Sequence, residues 1–299
     1  MRPFRFCLYQ YPDRPMPILV ERWRRAEALG FDVLWNADTL NEADHPGMTN
    51  FEAVATLAAM AIQTNAIRVG TLVTTLVYRN PAVVAKAAMT IDHLSEGRLE
   101  LGFGGGLQRG PGSNHAASGV PTWGLSERIA RFAEAVRIVD GMLRNDVFTF
   151  AGEYYSVEGA EMAPRPIQQP RPSITIPAHD RRMMRIAAEF GDGWSSWGGY
   201  GVESEQQMYS VTRERSIQFD EICVEVGRNP SSVRHSLVVF PPLTPWESVA
   251  YFEDMVGRYG EIGIDEFVLY WPRHWRDAPH EDEVLERVCA ETIPTLREV

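Results

Sequence analysis

The chain has 299 residues, of which 44% are hydrophobic and 23% are charged, and its formal net charge at pH 7 is -11. This composition is typical of a folded protein with a sizeable core and excludes a largely disordered chain. The negative charge, with no stripe of lysine and arginine, argues against nucleic acid as a partner, because phosphate binding needs a basic face.

The cysteines and the N-terminus indicate the compartment. Cys7, Cys223 and Cys289 lie far apart and follow no CxxC spacing, which supports neither a disulfide framework nor a zinc site. Residues 4–9 form an apolar, strand-like run in place of a signal peptide, and no stretch is apolar enough to span a membrane. We therefore expect a cytoplasmic protein with no membrane partner.

Short apolar runs typical of buried strands alternate along the chain with stretches of helical periodicity. The strands are predicted at 4–9, 32–36, 67–75, 98–103, 173–177, 192–197, 236–240 and 264–270. The helices are predicted at 19–29, 51–63, from Asn80 onward, 129–143, 181–190, within 203–226, 246–259 and 281–296. Residues 147–157 have the pattern of a small additional hairpin.

This alternation predicts a (β/α)8 TIM barrel that forms one domain over residues 1–299, with long loops at its C-terminal rim. Residues 237–240 and 267–270 are continuous apolar runs, as expected of parallel strands covered on both faces. An open doubly wound sheet would carry phosphate-binding glycines after its first strand, where Tyr9-Gln10-Tyr11-Pro12 has none. In a barrel, the functional residues should follow the carboxyl ends of the strands.

Two stretches carry a resemblance to a known family. The first reads Ile67-Arg68-Val69-Gly70-Thr71-Leu72-Val73-Thr74, continues through Tyr78-Arg79-Asn80-Pro81, and ends with Gly97-Arg98-Leu99-Glu100-Leu101-Gly102-Phe103-Gly104-Gly105-Gly106. The second runs from Arg171 through Asp192-Gly193-Trp194. Both resemble the luciferase-like monooxygenase family of flavin- and deazaflavin-dependent barrel enzymes, which implies an oxidoreductase.

The resemblance also implies where a cofactor would bind. The family places a non-prolyl cis peptide, here Leu72–Val73, against one face of the ring, and the glycine run lets backbone approach a ligand closely. Where the family often has Gly-Gly for the cofactor phosphate, this chain has Pro177-Ala178-His179, followed by arginines that could supply charge or form a solvated helix start. The predicted cofactor-binding residues are Thr71, Leu72, Val73, Thr74, Gly104, Gly105, Gly106, Ala178, His179 and Arg181.

The chain departs from the family at the expected proton donor. Many members have a histidine after the acidic residue that ends strand two, whereas here Thr39 follows Asp38. His45 lies in the same loop, and His115 lies in a Gly/Ser/Asn-rich loop that resembles a lid. We therefore predict Asp38, His45 and His115 as catalytic candidates.

The leading hypothesis is hydride transfer with coenzyme F420 on a small organic substrate, because residues 70–81 look closest to F420-dependent members. Leu107 replaces the glutamate of the family's sugar-phosphate dehydrogenases, which argues against that mechanism here. The alternative is a reduced-FMN monooxygenase that uses O2. More remote alternatives are a non-catalytic flavin-binding protein and a metal-dependent barrel hydrolase, although no metal-ligand spacing recurs and no metal site is expected. The family also suggests a homodimer.

Overall fold

The fold is taken from a computed structural model that describes residues 2–40, 50–106, 117–199, 201–272 and 280–298. Its strands are β1 (Arg5–Gln10), β2 (Val33–Asn36), β3 (Arg68–Thr75), β4 (Leu99–Gly104), β5 (Val147–Ala151), β6 (Ser156–Glu161), β7 (Ser173–Pro177), β8 (Gly193–Ser196), β9 (Arg234–Val238) and β10 (Glu266–Tyr270).

The helices cover the segments between these strands. They are α1 (Met16–Ala28), α2 (Ala53–Gln63), α3 (Pro81–Leu94), α4 (Leu125–Arg144), α5 (Arg181–Phe190), α6 (Glu205–Glu225), α7 (Val249–Gly260), α8 (His280–Arg287) and α9 (Ile293–Arg297). Short 3-10 turns lie at Leu76–Tyr78 and Pro230–Ser232. None of the helices described combines the length and apolar character needed to cross a membrane.

Eight of the strands form a closed barrel in the order β1-β10-β9-β8-β7-β4-β3-β2, while β5 and β6 pair antiparallel as a separate hairpin. Within the barrel, β1 and β10, β10 and β9, β9 and β8, β7 and β4, and β4 and β3 pair in parallel. The (β/α)8 barrel predicted from the sequence is therefore confirmed, as is the hairpin.

Helices α1, α2, α4 and α7 and the last predicted helix all differ from their predicted extents, and two of these differences have a local cause. Helix α7 begins at Val249, three residues later than expected, because the Ser248 hydroxyl caps it by accepting a hydrogen bond from the Tyr251 amide at 3.1 Å. The last helix is divided by a π-helical turn at Val288–Thr292. Pro294 follows that turn and has no N–H to continue the regular helical bonding.

Contacts group the chain into two compact units. The first unit comprises Met1–Gln10, Arg25–Leu34 and Pro177–Val299, and the second unit comprises Tyr11–Arg24 and Trp35–Ile176. In the first unit, Trp194 of β8 stacks on Phe219 of α6, with ring centroids 4.9 Å apart, and both side chains are fully buried. This pair fixes α6 on the outside of its strand.

In the second unit, a guanidinium joins α2 to β3. Arg98 donates hydrogen bonds to the carbonyl oxygens of Ala61, Thr64 and Ile67 at 2.6 to 3.0 Å. Trp35 of β2 is fully buried against Gly70 of β3, where a Cβ would lie 2.5 Å from the indole. The strands β2 and β3 are thus held close together, with a glycine making room for the indole.

Candidate functional site

The carboxyl end of β3 contains a backbone irregularity, which the family resemblance had predicted. The Leu72–Val73 peptide bond is cis, which confirms that expectation. The register of β3 against β4 shifts there, since Thr71 pairs with Leu101 and Thr74 pairs with Phe103. Strand β3 thus holds one residue more than β4 over this stretch, as in a β-bulge.

The glycines of β4 make room for this bulge. A Cβ on Gly102 would lie 2.1 Å from the Thr71 carbonyl oxygen, and a Cβ on Gly104 would lie 2.4 Å from Val73 Cγ2. Among the described residues, the atoms nearest to a Cβ on Gly105 belong to Phe132, at an ordinary 3.7 Å. Gly104 is therefore glycine because β3 approaches it, whereas no described residue approaches Gly105 so closely.

The side chains of the bulge are held in place locally. Thr71, Leu72 and Thr74 are buried, and the Thr71 and Thr74 hydroxyls lie 2.5 Å apart as a hydrogen-bonded pair. Val73 remains partly exposed, as do Gly105 and Gly106, and Gly106 has a φ of +71°. Residues 71–74 and Gly104–Gly106, which were predicted to form the ring wall, thus lie at the ends of two neighbouring strands, and three of them are partly exposed.

Asp38 lies beside this wall with both carboxylate oxygens engaged. Arg79 donates to them at 2.6 and 2.8 Å, the Thr75 amide donates at 2.8 Å, and only 2% of the Asp38 side chain is exposed. Arg79 also donates to Glu52 at 2.8 Å. Burial alone would lower the pKa of Arg79, but the hydrogen bonds and charges of Asp38 and Glu52 outweigh it and raise that pKa. This cluster ties the end of β3 to the segment after β2.

In the first unit, the predicted residues Ala178 and His179 follow β7. The Ala178 amide donates to the Ser195 carbonyl at 3.2 Å, and the Trp194 indole donates to the Ala178 carbonyl at 2.8 Å, so the backbone of Ala178 is fixed. Burial, with a further contribution from Arg215, lowers the pKa of His179 to about 4. His179 is therefore neutral at pH 7, and its Nε2 is buried with no partner among the described residues.

The start of helix α5 already has protein partners. The Asp180 carboxylate caps it by accepting hydrogen bonds from the Arg182 and Met183 amides at 3.0 and 3.2 Å. Arg181 forms an ion pair with Glu225. A phosphate at this helix start would compete with both interactions.

Aromatic side chains lie together at the ends of four strands of the first unit. The ring of Phe240 lies 5.9 Å from Tyr9, 6.4 Å from Trp197 and 6.5 Å from Tyr270, and we call these four residues the aromatic cluster. Trp197 also lies 5.8 Å from the ring of His179. Trp197 belongs to this cluster, whereas Trp194 is part of the buried core.

Three further residues bear on the site: His45 and His115, which the sequence analysis predicted, and Asn36, which it did not. His45 and His115 lie outside the described residues. Over the described ranges, no group of three or more histidine, cysteine, aspartate or glutamate side chains could hold a metal ion. Asn36 at the end of β2 is fully buried, and neither its amide nitrogen nor its oxygen has a described partner. Its position at a strand end was the available signal, since buried polar groups normally find a partner.

The model of the luciferase-like monooxygenase family matches residues 5–245. An F420-dependent glucose-6-phosphate dehydrogenase of Amycolatopsis mediterranei (strain U-32) is 30% identical over 269 residues, covering 85% of this chain and 79% of that protein. An F420-dependent secondary alcohol dehydrogenase, solved with an F420-acetone adduct, superposes with a TM-score of 0.81 at 18% identity over 99% of each chain.

A second solved structure has the same fold with another cofactor. It is the oxygenating constituent of 3,6-diketocamphane monooxygenase from Pseudomonas putida in complex with FMN, with a TM-score of 0.75 at 14% identity over 98% of each chain. The two structures share the barrel, so the fold by itself does not distinguish between the two cofactors. The match to the family model and to the relative of Amycolatopsis mediterranei does not depend on these two structures. The chain belongs to the luciferase-like monooxygenase family and is an oxidoreductase, as the sequence predicted.

Proposed function

We propose that the protein transfers hydride between coenzyme F420 and a small organic substrate. The observation that carries this proposal is the β3 bulge at Leu72–Val73, packed against the glycine end of β4, in a chain related to F420-dependent dehydrogenases. A flat ring needs such a smooth backbone surface, and the partly exposed Val73, Gly105 and Gly106 supply it.

The residues present fit a ring cofactor. Gly105 has room beside it for a ligand, and the amide of Asn36 is a buried donor and acceptor without a described partner. We propose that Thr71, Leu72, Val73 and Thr74, with Gly104, Gly105 and Gly106, contact the ring. For the remainder of the cofactor we propose Ala178, His179 and Arg181. When bound, F420 would give or take the hydride, while the protein orients it and excludes water.

The aromatic cluster supports a substrate with an apolar body. Tyr9, Trp197 and Phe240 are partly exposed at their strand ends and offer flat apolar surface. One relative is named as a glucose-6-phosphate dehydrogenase. The family resemblance implies a glutamate just after the glycine run in enzymes that oxidise sugar phosphates, and this chain has Leu107 there. We propose a small organic alcohol or carbonyl compound in preference to a sugar phosphate.

The proton donor is proposed from the three predicted candidates, Asp38, His45 and His115. The Arg79 pairing and the Thr75 amide already use both oxygens of Asp38, so a role for Asp38 in proton transfer requires that one of these bonds lengthens. The homodimer and the cytoplasmic location also remain proposals.

Reduced FMN with O2 is the second candidate, because an FMN-bound monooxygenase has the same barrel. Titrating the apoprotein separately with F420 and with FMN, followed by absorbance and fluorescence, distinguishes the two. We expect F420 to bind with a Kd of about 10 µM or lower and FMN at least roughly tenfold more weakly. A tighter Kd for FMN would favour the monooxygenase, and no binding of either below about 100 µM would refute both.

A matched pair of variants tests the location. Gly105→Leu adds a side chain where the protein leaves space, so it should weaken cofactor binding by about tenfold or more with the unfolding midpoint nearly unchanged. Gly124→Leu is the control, since a Cβ there meets nothing within 4 Å and it lies at the start of α4. Equal affinity in Gly105→Leu and wild type would place the ring elsewhere.

A further inference from the structure

Arg215 of helix α6 is a partly buried cation without a described acidic partner. Its Nη1 donates to the Gly198 carbonyl oxygen at 2.6 Å, and its Nη2 lies beside Gly199. Over the ranges that the structure describes, no carboxylate lies within the 4.0 Å of an ion pair with it. Burial lowers the pKa of Arg215, and the nearby charge of Glu214 offsets this only in part. A guanidinium remains protonated even so, and it retains donors for another acceptor.

The loop after β8 brings its backbone up to this guanidinium. Gly198 and Gly199 have φ angles of +79° and +106°, which other residues rarely adopt. A Cβ on Gly198 would lie 2.3 Å from Met208 Sδ, and one on Gly199 would lie 3.4 Å from Arg215 Nη2. The two glycines allow the loop to pass close to α6, and neither of them places a side chain over the guanidinium.

The ring of His179 lies 5.8 Å from that of Trp197, and the next residue along the chain, Gly198, accepts the hydrogen bond from Arg215. Burial, with a smaller contribution from the charge of Arg215, lowers the pKa of His179 to about 4. The neutral ring retains an Nε2 that is buried and lacks a described partner. The neighbouring carboxylate of Asp180 is not free for Arg215, because it caps helix α5. An unpaired cation and an unpaired ring nitrogen therefore belong to the same region of the first unit.

We propose that Arg215 and His179 form an oxyanion-binding site that takes a phosphate or carboxylate carried by the cofactor or by the substrate. The proposal rests on the proposed function, because it assigns one end of that enzyme's ligands. A planar guanidinium binds such groups through paired hydrogen bonds. A bound anion would also supply the negative counter-charge that no described carboxylate gives to Arg215. Arg181, in contrast, is exposed and already paired with Glu225.

The test compares ligands with and without the anionic end. F420 is paired with its deazaflavin fragment that lacks the phosphate, and FMN is paired with riboflavin. For whichever pair binds the wild-type protein, we expect the ligand with the phosphate to have a Kd at least tenfold lower than the ligand without it. Arg215→Gln should reduce this preference to less than about threefold without changing the Kd of the phosphate-free member, and Arg215→Lys should retain part of the preference. Arg213→Gln removes an exposed charge from the same helix and should behave as wild type.

Inorganic phosphate distinguishes the two sources of the anion. If the cofactor carries the anion, phosphate should compete with cofactor for the apoprotein and should not bind the holoprotein. If the substrate carries it, phosphate should bind the wild-type holoprotein and not Arg215→Gln. Equal weakening of both members of a ligand pair would show a purely structural role, and phosphate binding unaffected by Arg215→Gln would equally overturn the proposal. Should neither cofactor bind wild type, the proposed function fails, while phosphate binding to the apoprotein still tests the site.

Discussion

His235 of β9 is a histidine kept neutral by its surroundings. Its ring lies edge-on to Trp194 and Phe219, at 5.2 and 5.3 Å, and its Nδ1 lies 3.1 Å from the Ser216 hydroxyl. Burial, with a smaller contribution from the charge of Arg2, lowers its pKa to about 4. Asp220 Oδ1 lies 3.4 Å from Nε2, but that oxygen is itself buried and burial raises the pKa of Asp220, so the carboxyl group does not offset the burial of the ring.

This pKa makes the free energy of unfolding depend on pH. Between the ordinary value of 6.5 and about 4, the unfolded chain binds more protons at this site than the folded chain. The contribution is present above pH 6.5 and is lost as the pH falls through that window, to a total of about 3 kcal/mol at pH 4. Urea unfolding from pH 7 to 4 should show wild type losing about this much more than His235→Gln. Parallel curves for the two proteins would contradict the assignment.

A second test at the residue scale concerns Asp38 and Arg79. Their contacts are those of an ion pair that stabilises the fold. Removing one partner of a buried pair leaves an uncompensated charge, so Asp38→Asn and Arg79→Gln should each lower the free energy of unfolding by about 2 to 4 kcal/mol. The double variant should cost clearly less than the sum of the two, since the pair is lost only once. An unchanged stability in Asp38→Asn would instead leave Asp38 free for the proton transfer predicted from the sequence.

At the scale of elements, the fit between β3 and β4 depends on a missing side chain. Gly104→Ala places a Cβ 2.4 Å from Val73 Cγ2, which is too close for van der Waals contact, so the variant should be less stable by about 1 to 3 kcal/mol. Val73→Ala removes the obstructing methyl group and should restore part of that loss when combined with Gly104→Ala. Gly105→Ala, whose Cβ has an ordinary contact, is the matched control and should unfold at nearly the wild-type midpoint. Failure of Val73→Ala to compensate would mean that Gly104 is required by its backbone alone.

The elements were predictable to different degrees, for physical reasons. Residues 237–240 and 267–270 are continuous apolar runs, and apolar runs alternate along the chain with helical periodicity, so the hydrophobic pattern indicated the barrel. The cis bond at Leu72–Val73 came from a resemblance, because no local pattern in Leu-Val distinguishes it. The pairing of Asp38 with Arg79 joins residues 41 positions apart, and an arginine on a helix, such as Arg215, has the pattern of a solvated residue. Contacts of this kind arise only when the strands are brought together.

At the scale of the whole molecule, the boundaries of the two compact units are unusual for domains. One boundary falls between Arg24 and Arg25, inside helix α1, and another falls between Ile176 and Pro177, inside strand β7. Domain boundaries ordinarily lie in exposed linkers that few contacts cross, whereas a helix and a strand each continue through these. We therefore predict that the chain unfolds as one domain.

The cysteines make this prediction measurable. Cys7, Cys223 and Cys289 are buried thiols that form no disulfide, and all three belong to the first unit, so their reaction with a thiol reagent reports the opening of that unit alone. Ala61→Cys, combined with serine at the three native positions, places the only thiol in a buried position of the second unit. Both proteins should show thiol exposure at the same denaturant midpoint as the loss of helical circular dichroism, because a cooperative domain opens as a whole. If the native thiols and the thiol introduced by Ala61→Cys became reactive at separate midpoints, each relative to its own circular dichroism curve, the chain would consist of two independently unfolding units.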